Sequence, residues 1–334
     1  MGSRCIIKAL LGIGLLTGTL APPATAALPV ITSRGKNYVP LSSMAPYYTM
    51  QVSEPARNRV RLQNRWYTLD FETNSRRCRV NGTLMWLNRP TRRISGKWAV
   101  EKVDFYQVID PALRPYAFLA KAGSKMVVLD PGHGGRDNGA VSPRRVFEKL
   151  LTLDIAKRVR NRLQTRGITV KLTRESDRAL SLSGRCKKAA GWNADVFVSL
   201  HADSAGKAKS AKGAGTFVLS LPGCYSTGSY GRGKPPSTAY EGNRFNAANT
   251  ALGYRIQQNL VKNTGQTDRG VKRARFQVLR EAPCPAALVE VAFLSNPKEE
   301  AMLIDPAKRE QIAHGIADGI AAYLYDVERG REMK

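Results

Sequence analysis

Two rhythms of hydrophobic and polar positions divide the chain. From 28 to about 115 the apolar residues alternate with polar ones over short runs. In Asn58-Arg59-Val60-Arg61-Leu62-Gln63, for example, they follow the period of two that marks a half-buried strand. The run from Cys78 to Leu87 places Asn81-Gly82 between two strand-forming stretches, and that dipeptide supplies the positive φ angles of a tight hairpin. A second turn is expected at Ser95-Gly96-Lys97. The prediction for 28–115 is a small β-rich domain.

From 125 onward strands alternate with helices. Met126 to Asp130 is a short apolar run ending in Pro131-Gly132, which suits a buried strand. Leu151, Ile155, Val159 and Leu163 line one face of a helix expected over 147–166, with Gly167 as its stop. Strands are expected over 168–172, 195–200 and 213–220, a helix over 243–263, strands near 276–279 and 286–293, and a helix over 306–325. Between them, 221–242 is rich in Gly, Pro, Ser and Tyr, has no period, and exceeds the usual length of a connection. Alternating strands and helices imply an α/β sheet, and ligands in such sheets gather at the carboxyl ends of strands. The second domain is placed at 124–326, with 327–334 as a tail.

Residues 1–26 read as a secretory leader: Arg4 and Lys8 precede an apolar run, followed by Pro22-Pro23 and the cleavage-site pattern Ala24-Thr25-Ala26. The run is about a dozen residues, short of the roughly 20 needed to cross a bilayer, so no transmembrane segment is expected in the mature chain. Cys5 would leave with the leader. Export would then put Cys78, Cys186, Cys224 and Cys284 where disulfides can form, in any of three full pairings; without a C-x-x-C pair they do not suggest a zinc site.

The formal charge of +27 draws the protein towards polyanions. Export favours anionic lipid surfaces and cell-wall polymers over nucleic acid, for which no specific binding is expected. A basic surface that serves solubility alone is the competing explanation. The 28–115 stretch shares the bias, with 15 Lys and Arg against 6 Asp and Glu.

Three histidines are present, and two occupy the same kind of place. His133 follows a strand in Asp130-Pro131-Gly132-His133-Gly134-Gly135, and His201 ends one in Ser199-Leu200-His201-Ala202-Asp203, so both should face one crevice. His314, inside the last helix, reads as structural. A catalytic zinc prefers three protein ligands, often two histidines and a carboxylate, and leaves one position for water. Glu148 opens a helix within reach of the crevice, but an acid there equally suits the positive end of the helix dipole. Glu290 interrupts the apolar run 287–293, and a carboxylate is costly to bury without a partner. Near a zinc-bound water it could serve as general acid and base. The Gly132–Gly135 turn lacks the spacing of a nucleotide-binding loop.

Over 125–325 the motifs resemble the zinc-dependent N-acetylmuramoyl-L-alanine amidases, the amidase type 3 kind. They occur in family order: Val128 to Gly135, the Glu148 helix, Thr173-Arg174 with Asp177, Ser199 to Asp203, Asp268-Arg269-Gly270-Val271-Lys272, and Leu288 to Asn296. The resemblance implies one Zn2+ on His133, Glu148 and His201 and catalysis by Glu290. It also implies a phosphorylase/hydrolase-like α/β fold with a mixed central sheet flanked by helices. The implied reaction is hydrolysis of the amide between N-acetylmuramic acid and L-alanine in peptidoglycan, by an exported enzyme of the periplasm or cell exterior associated with the wall. Other anionic envelope polymers and an activator protein are the further candidate partners. Alternatives are a zinc peptidase cutting within the stem peptide and a non-catalytic wall-binding protein.

Two features depart from the family's pattern: the 221–242 insert, of a kind that can cover the site, and Cys284, where an apolar residue is more usual. Either is a candidate regulatory device. Lys36 to Leu41 and the 78–87 hairpin resemble the short β modules fused to cell-wall enzymes, which suggests a wall-binding or stalk-like role for 28–115.

Overall fold

The computed structural model describes residues 28–117, 125–206 and 208–332. The expected leader, 1–26, lies outside the described residues. In chain order the strands are β1 (Ile31–Ser33), β2 (Lys36–Pro40), β3 (Gln51–Ala56), β4 (Arg59–Gln63), β5 (Thr68–Glu72), β6 (Arg77–Val80), β7 (Thr83–Trp86), β8 (Arg92–Ile94) and β9 (Lys97–Glu101). Then follow β10 (Met126–Pro131), β11 (Thr169–Leu172), β12 (Val196–Asp203), β13 (Ala214–Leu219), β14 (Asp268–Ala274) and β15 (Ala286–Phe293).

Both predicted turns form where the sequence demands positive φ, at Asn81 and Gly82 and at Ser95 and Gly96. Along β4 and β6 the alternation is visible as Val60, Leu62, Cys78 and Val80 turned inward, with arginines between them turned out.

Among the described residues the strands make two sheets. One is a small antiparallel sheet in the order β1-β2-β9-β8. The other is a long mixed sheet in the order β11-β10-β12-β15-β13-β14-β7-β6-β5-β4-β3. In the long sheet β11, β10, β12 and β15 run parallel, β13 runs against β15, and β14 runs with β13. The β-rich 28–115 stretch therefore continues the second region's sheet, joined where Val271 of β14 pairs with Met85 of β7.

Two side-chain contacts lock that seam: Asp268 accepts from the Leu84 amide at 2.7 Å, and Trp86 donates its indole N–H to the Arg269 carbonyl at 2.9 Å. A single apolar core runs beneath, from Val39, Leu62 and Met85 to Leu129, Val289 and Ile316. Helices Glu148–Gln164, Asn246–Thr264 and Pro306–Glu332 cover this face, while Leu182–Gly191 and Gln277–Arg280 cover the other.

Most of the expected elements appear. The strand expected near 276–279 does not: those residues form the short helix Gln277–Arg280, and the strand is β14, eight residues earlier. Its Arg269, Lys272 and Arg273 hide the apolar alternation that marks the other strands. The last helix also runs past the expected end, to Glu332.

Candidate metal and catalytic site

The parallel strands β10 and β12 end side by side, with Pro131 opposite Leu200. Beyond β10 the chain turns sharply, and His133 takes a left-handed conformation with φ of 60°. Two arginines hold this turn by its carbonyls. Arg174, fully buried, donates to the carbonyls of Pro131 and Gly132, and Arg185 donates to those of Pro131 and His133. Beneath them the buried Asp130 carboxylate accepts from Thr173 Oγ1, Ser199 Oγ and Arg185 Nη1, so its charge is fully met.

Glu148 is the first residue of its helix and bends its side chain towards the strand ends. Its Oε2 lies 3.1 Å from His133 Nε2 and its Oε1 3.0 Å from His201 Nδ1. The Ala140 and Ala202 amides donate to the same carboxylate at 2.7 and 3.0 Å. Ligand atoms of His133, Glu148 and His201 all fall within 4.8 Å of one another, the imidazole rings crossing at 81°. Asp137 Oδ2, 2.8 Å from His133 Nδ1, holds that ring so that Nε2 faces the group.

The space is kept by glycine. A Cβ on Gly132 would lie 2.4 Å from the His201 ring, and one on Gly139 would lie 2.5 Å from Glu148 Oε2.

The electrostatics are those of a cation trap. Burial works against the charged form of Glu148, yet the two imidazoles and the Ala140 amide outweigh it and hold the carboxyl well below its ordinary range. Burial likewise disfavours the His133 cation, but Glu148, then Asp137, raise its pKa above the ordinary value. Two imidazoles converging on one buried carboxylate suit a divalent ion of intermediate softness.

Glu290 sits opposite His201 across the β12–β15 pair. Its Oε2 is enclosed, and no described residue donates to it. Burial, reinforced by the charges of Asp203 and Glu148 and opposed by Lys272, pushes its pKa well above the carboxylate range. His314, on the last helix beside Asp318, stands apart from the group.

His133, Glu148 and His201 thus come together in one group, with Glu290 on the strand beside His201. The sequence had not marked Asp137 and Arg185, nor given a role to Asp130 of the His133 motif or to Arg174 and Asp177 of the Thr173-Arg174 motif. Asp177 accepts from the Gly135 amide and Lys149, bracing the glycine turn.

The 221–242 insert, expected as a candidate cover, follows β13, whose antiparallel course carries it away from Glu290. Among the described residues its hydrogen bonds go to Arg76, Arg273, Arg275 and Ser220 at the other end of the sheet. The four described cysteines are free; Cys78, Cys186 and Cys284 are buried.

A family model described as N-acetylmuramoyl-L-alanine amidase matches residues 127–322, the region that carries this crevice. The chain belongs to that amidase family. Its amidase region is 36% identical over 219 residues to the amidase AmiC of Neisseria meningitidis, a match covering 60% of this chain and 52% of that protein. It is 34% identical over 233 residues to AmiA of Escherichia coli, covering 61% and 77%. The chain thus spans about half of the Neisseria relative and about three-quarters of the Escherichia one.

Among solved structures, the catalytic domain of the amidase CwlV from Bacillus (Paenibacillus) polymyxa aligns with a TM-score of 0.51 at 36% identity, covering 60% of this chain and 98% of that one. An amidase from Clostridium difficile 630 aligns with a TM-score of 0.52 at 32% identity, covering 61% and 98%. The family match begins at 127, so β1 to β9 lie outside it, although the seam at β7 joins them to the amidase sheet.

Proposed function

We propose that this chain is an exported, zinc-dependent N-acetylmuramoyl-L-alanine amidase that cuts the amide joining N-acetylmuramic acid to L-alanine in peptidoglycan. The observation that carries this reading is the pairing of a His–Glu–His donor group with an enclosed, unpartnered carboxylate oxygen of Glu290 on the neighbouring strand. His133, Glu148 and His201 form the donor set that catalytic zinc takes. A zinc ion held there would acidify a water molecule and polarise the scissile carbonyl.

The rest is done by the chain itself. Glu290 accepts the water's proton, keeps it where no other donor competes, and returns it to the departing alanine amine. Asp137 fixes the His133 ring, and the Arg174–Arg185 clamp fixes the turn that presents it. The basic surface, the +27 charge included, favours residence on an anionic wall, with peptidoglycan and other anionic envelope polymers as partners. Among the described residues no helix is long and apolar enough to cross a membrane. In this reading 28–115 is a basic wall-binding or stalk-like module ahead of the amidase region 124–326.

An activator protein is a further candidate partner, because a solved relative, the CwlD amidase of Clostridioides difficile, is in complex with the GerS lipoprotein. The match to that relative is 28% identical with a TM-score of 0.50.

The test is to digest purified sacculi and identify the products by mass spectrometry. Intact glycan with peptides bearing a free N-terminal alanine is the expected result. Shortened peptides, with alanine still on the sugar, would make the enzyme a peptidase. No release at all from a zinc-free protein would leave a wall-binding role.

A further inference from the structure

The row that carries His201 and Glu290 continues across the sheet towards β14. In one row across the sheet, His201 of β12 stands beside Glu290 of β15, and Glu290 stands beside Gly215 of β13. Gly215 faces the irregular stretch of β14 after Asp268, where a Cβ built on it would meet Arg269 Cβ at 3.4 Å. Two rows on, and on the same face, Leu288, Phe217 and Lys272 stand side by side. Lys272 is therefore diagonal to Glu290 across a position that carries no side chain.

Arg269 and Lys272 lie on β14, beyond Gly215 as seen from Glu290. The Arg269 guanidinium lies 4.5 Å above the Phe293 ring and donates to the Lys212 carbonyl, and the Lys272 ammonium lies 5.4 Å from the Phe217 ring. Both side chains are half-buried, and among the described residues neither has a carboxylate within ion-pair distance. Some half-buried arginines elsewhere are met by carboxylates, as Arg255 is by Asp326 and Arg158 by Glu310, and others, such as Arg76 and Arg275, by backbone carbonyls. Two half-buried cations with no carboxylate in ion-pair contact, each set on an aromatic ring on the Glu290 side of β14, can take an anion.

We propose that Lys272 and Arg269 form a specificity subsite that binds a free carboxylate of the stem peptide, carried one residue beyond the scissile amide. This rests on the amidase reading, because it places the peptide side of the substrate on the β13–β14 side of Glu290. Gly215 places no side chain between the base and the two cations. The chemistry fits a stem whose second residue is a γ-linked glutamate, since the α-carboxylate is then free and close to the bond that breaks. The same position amidated would present a neutral group that cannot pair with either cation. Burial, then the like charge of Arg269, lowers the Lys272 pKa to about 8, opposed by Asp203 and Glu290. A substrate anion would relieve that penalty.

The experiment compares two synthetic N-acetylmuramoyl peptides that differ only in this group, one with a free α-carboxylate on the second residue and one with its carboxamide. The wild-type enzyme should prefer the free acid by roughly ten- to hundredfold in kcat/KM, chiefly through KM. Lys272→Gln should erase the preference by losing rate on the acid and not on the amide, Lys272→Arg should keep most of it, and Arg269→Gln should reduce it. Equal cleavage of both peptides by the wild type would overturn the subsite while leaving the amidase reading intact. Cleavage of neither at the sugar–alanine amide would instead strike at the amidase reading itself. Zinc content and melting temperature are measured alongside, so a Lys272→Gln protein that loses both peptides through misfolding is recognised. Lys272→Arg then decides: if it folds and shows no preference, the proposal fails.

Discussion

Two buried carboxylates, one in each region of the chain, show how the same physical expense serves different ends. Asp104, at the end of β9, has no exposed surface, and burial raises its pKa to about 6. It accepts from the Asn88 amide, the Asn88 side chain and the Arg89 amide at 2.6, 2.7 and 3.0 Å. Every lobe that could matter to a neighbour is in use, so Asp104 ties the 88–89 turn to the β9 end. Glu290 is raised by the same burial, but its Oε2 is left without a donor, on the strand position beside the His201 of the metal-ligand group. A buried polar atom without a partner costs about 1–3 kcal/mol. Among the described residues other buried atoms also lack a partner, Trp98 Nε1 and Gln107 Oε1 among them, but Glu290 Oε2 is the one carboxylate oxygen of that group, an atom that can take up and release a proton.

The largest effect that would break this contrast comes from Glu148. Removing its carboxylate as Glu148→Ala takes away the group on which both imidazoles converge, so metal content and hydrolysis should both fall to background. A variant that still carries stoichiometric zinc would remove Glu148 from the ligand set.

Next comes the pH dependence of stability. The folded pKa of Asp104, about 6, lies above its ordinary value of 3.8, so the native state holds a proton that the unfolded chain releases. Its contribution is fully present below pH 4 and lost as pH rises through 6. The loss is on the order of 3 kcal/mol at most. Asp104→Asn should flatten that part of the pH–stability curve, measured by denaturant melts from pH 4 to 7; an unchanged slope would show that Asp104 does not titrate with folding. The smallest of these effects is at Asp137. With Asp137→Ala the His133 ring loses its orienting partner, and zinc affinity should drop roughly ten- to hundredfold without loss of the fold. Competition with a chelator reads that shift, and an unchanged affinity would make Asp137 a bystander.

Much of this was legible in the amino acids, and the rest was hidden for identifiable reasons. Asn81-Gly82 announced its hairpin because few other pairs accept two positive φ angles, and Leu151, Ile155, Val159 and Leu163 announced their helix by spacing. His133 and His201 could be placed at neighbouring strand ends because both follow apolar runs. Glu148 could not be assigned from position alone; the distances to both imidazoles are what decide between a ligand-ready carboxylate and a helix-end charge.

β14 was misplaced because three basic residues in seven mask its alternation, and they do so because that strand serves both the seam and the crevice. Asp137 and Arg185 carry no sequence mark at all, and Asp130 stood in a motif without a role. They act through loop carbonyls and ring nitrogens brought together only by the fold. The junction of β7 with β14 was equally invisible, since a single register pair and two hydrogen bonds define it.

The most direct measurement of the central claim is peptide release from purified sacculi by wild-type and Glu290→Gln proteins, with bound zinc and melting temperature determined on the same samples. The substitution keeps shape and removes the proton carrier, and it exchanges an unpartnered buried acid for a neutral amide. The prediction is unchanged zinc, equal or higher melting temperature, and a rate lowered by about 100-fold or more. A Glu290→Gln enzyme that binds zinc normally and releases alanine-terminated peptides at the wild-type rate would contradict it.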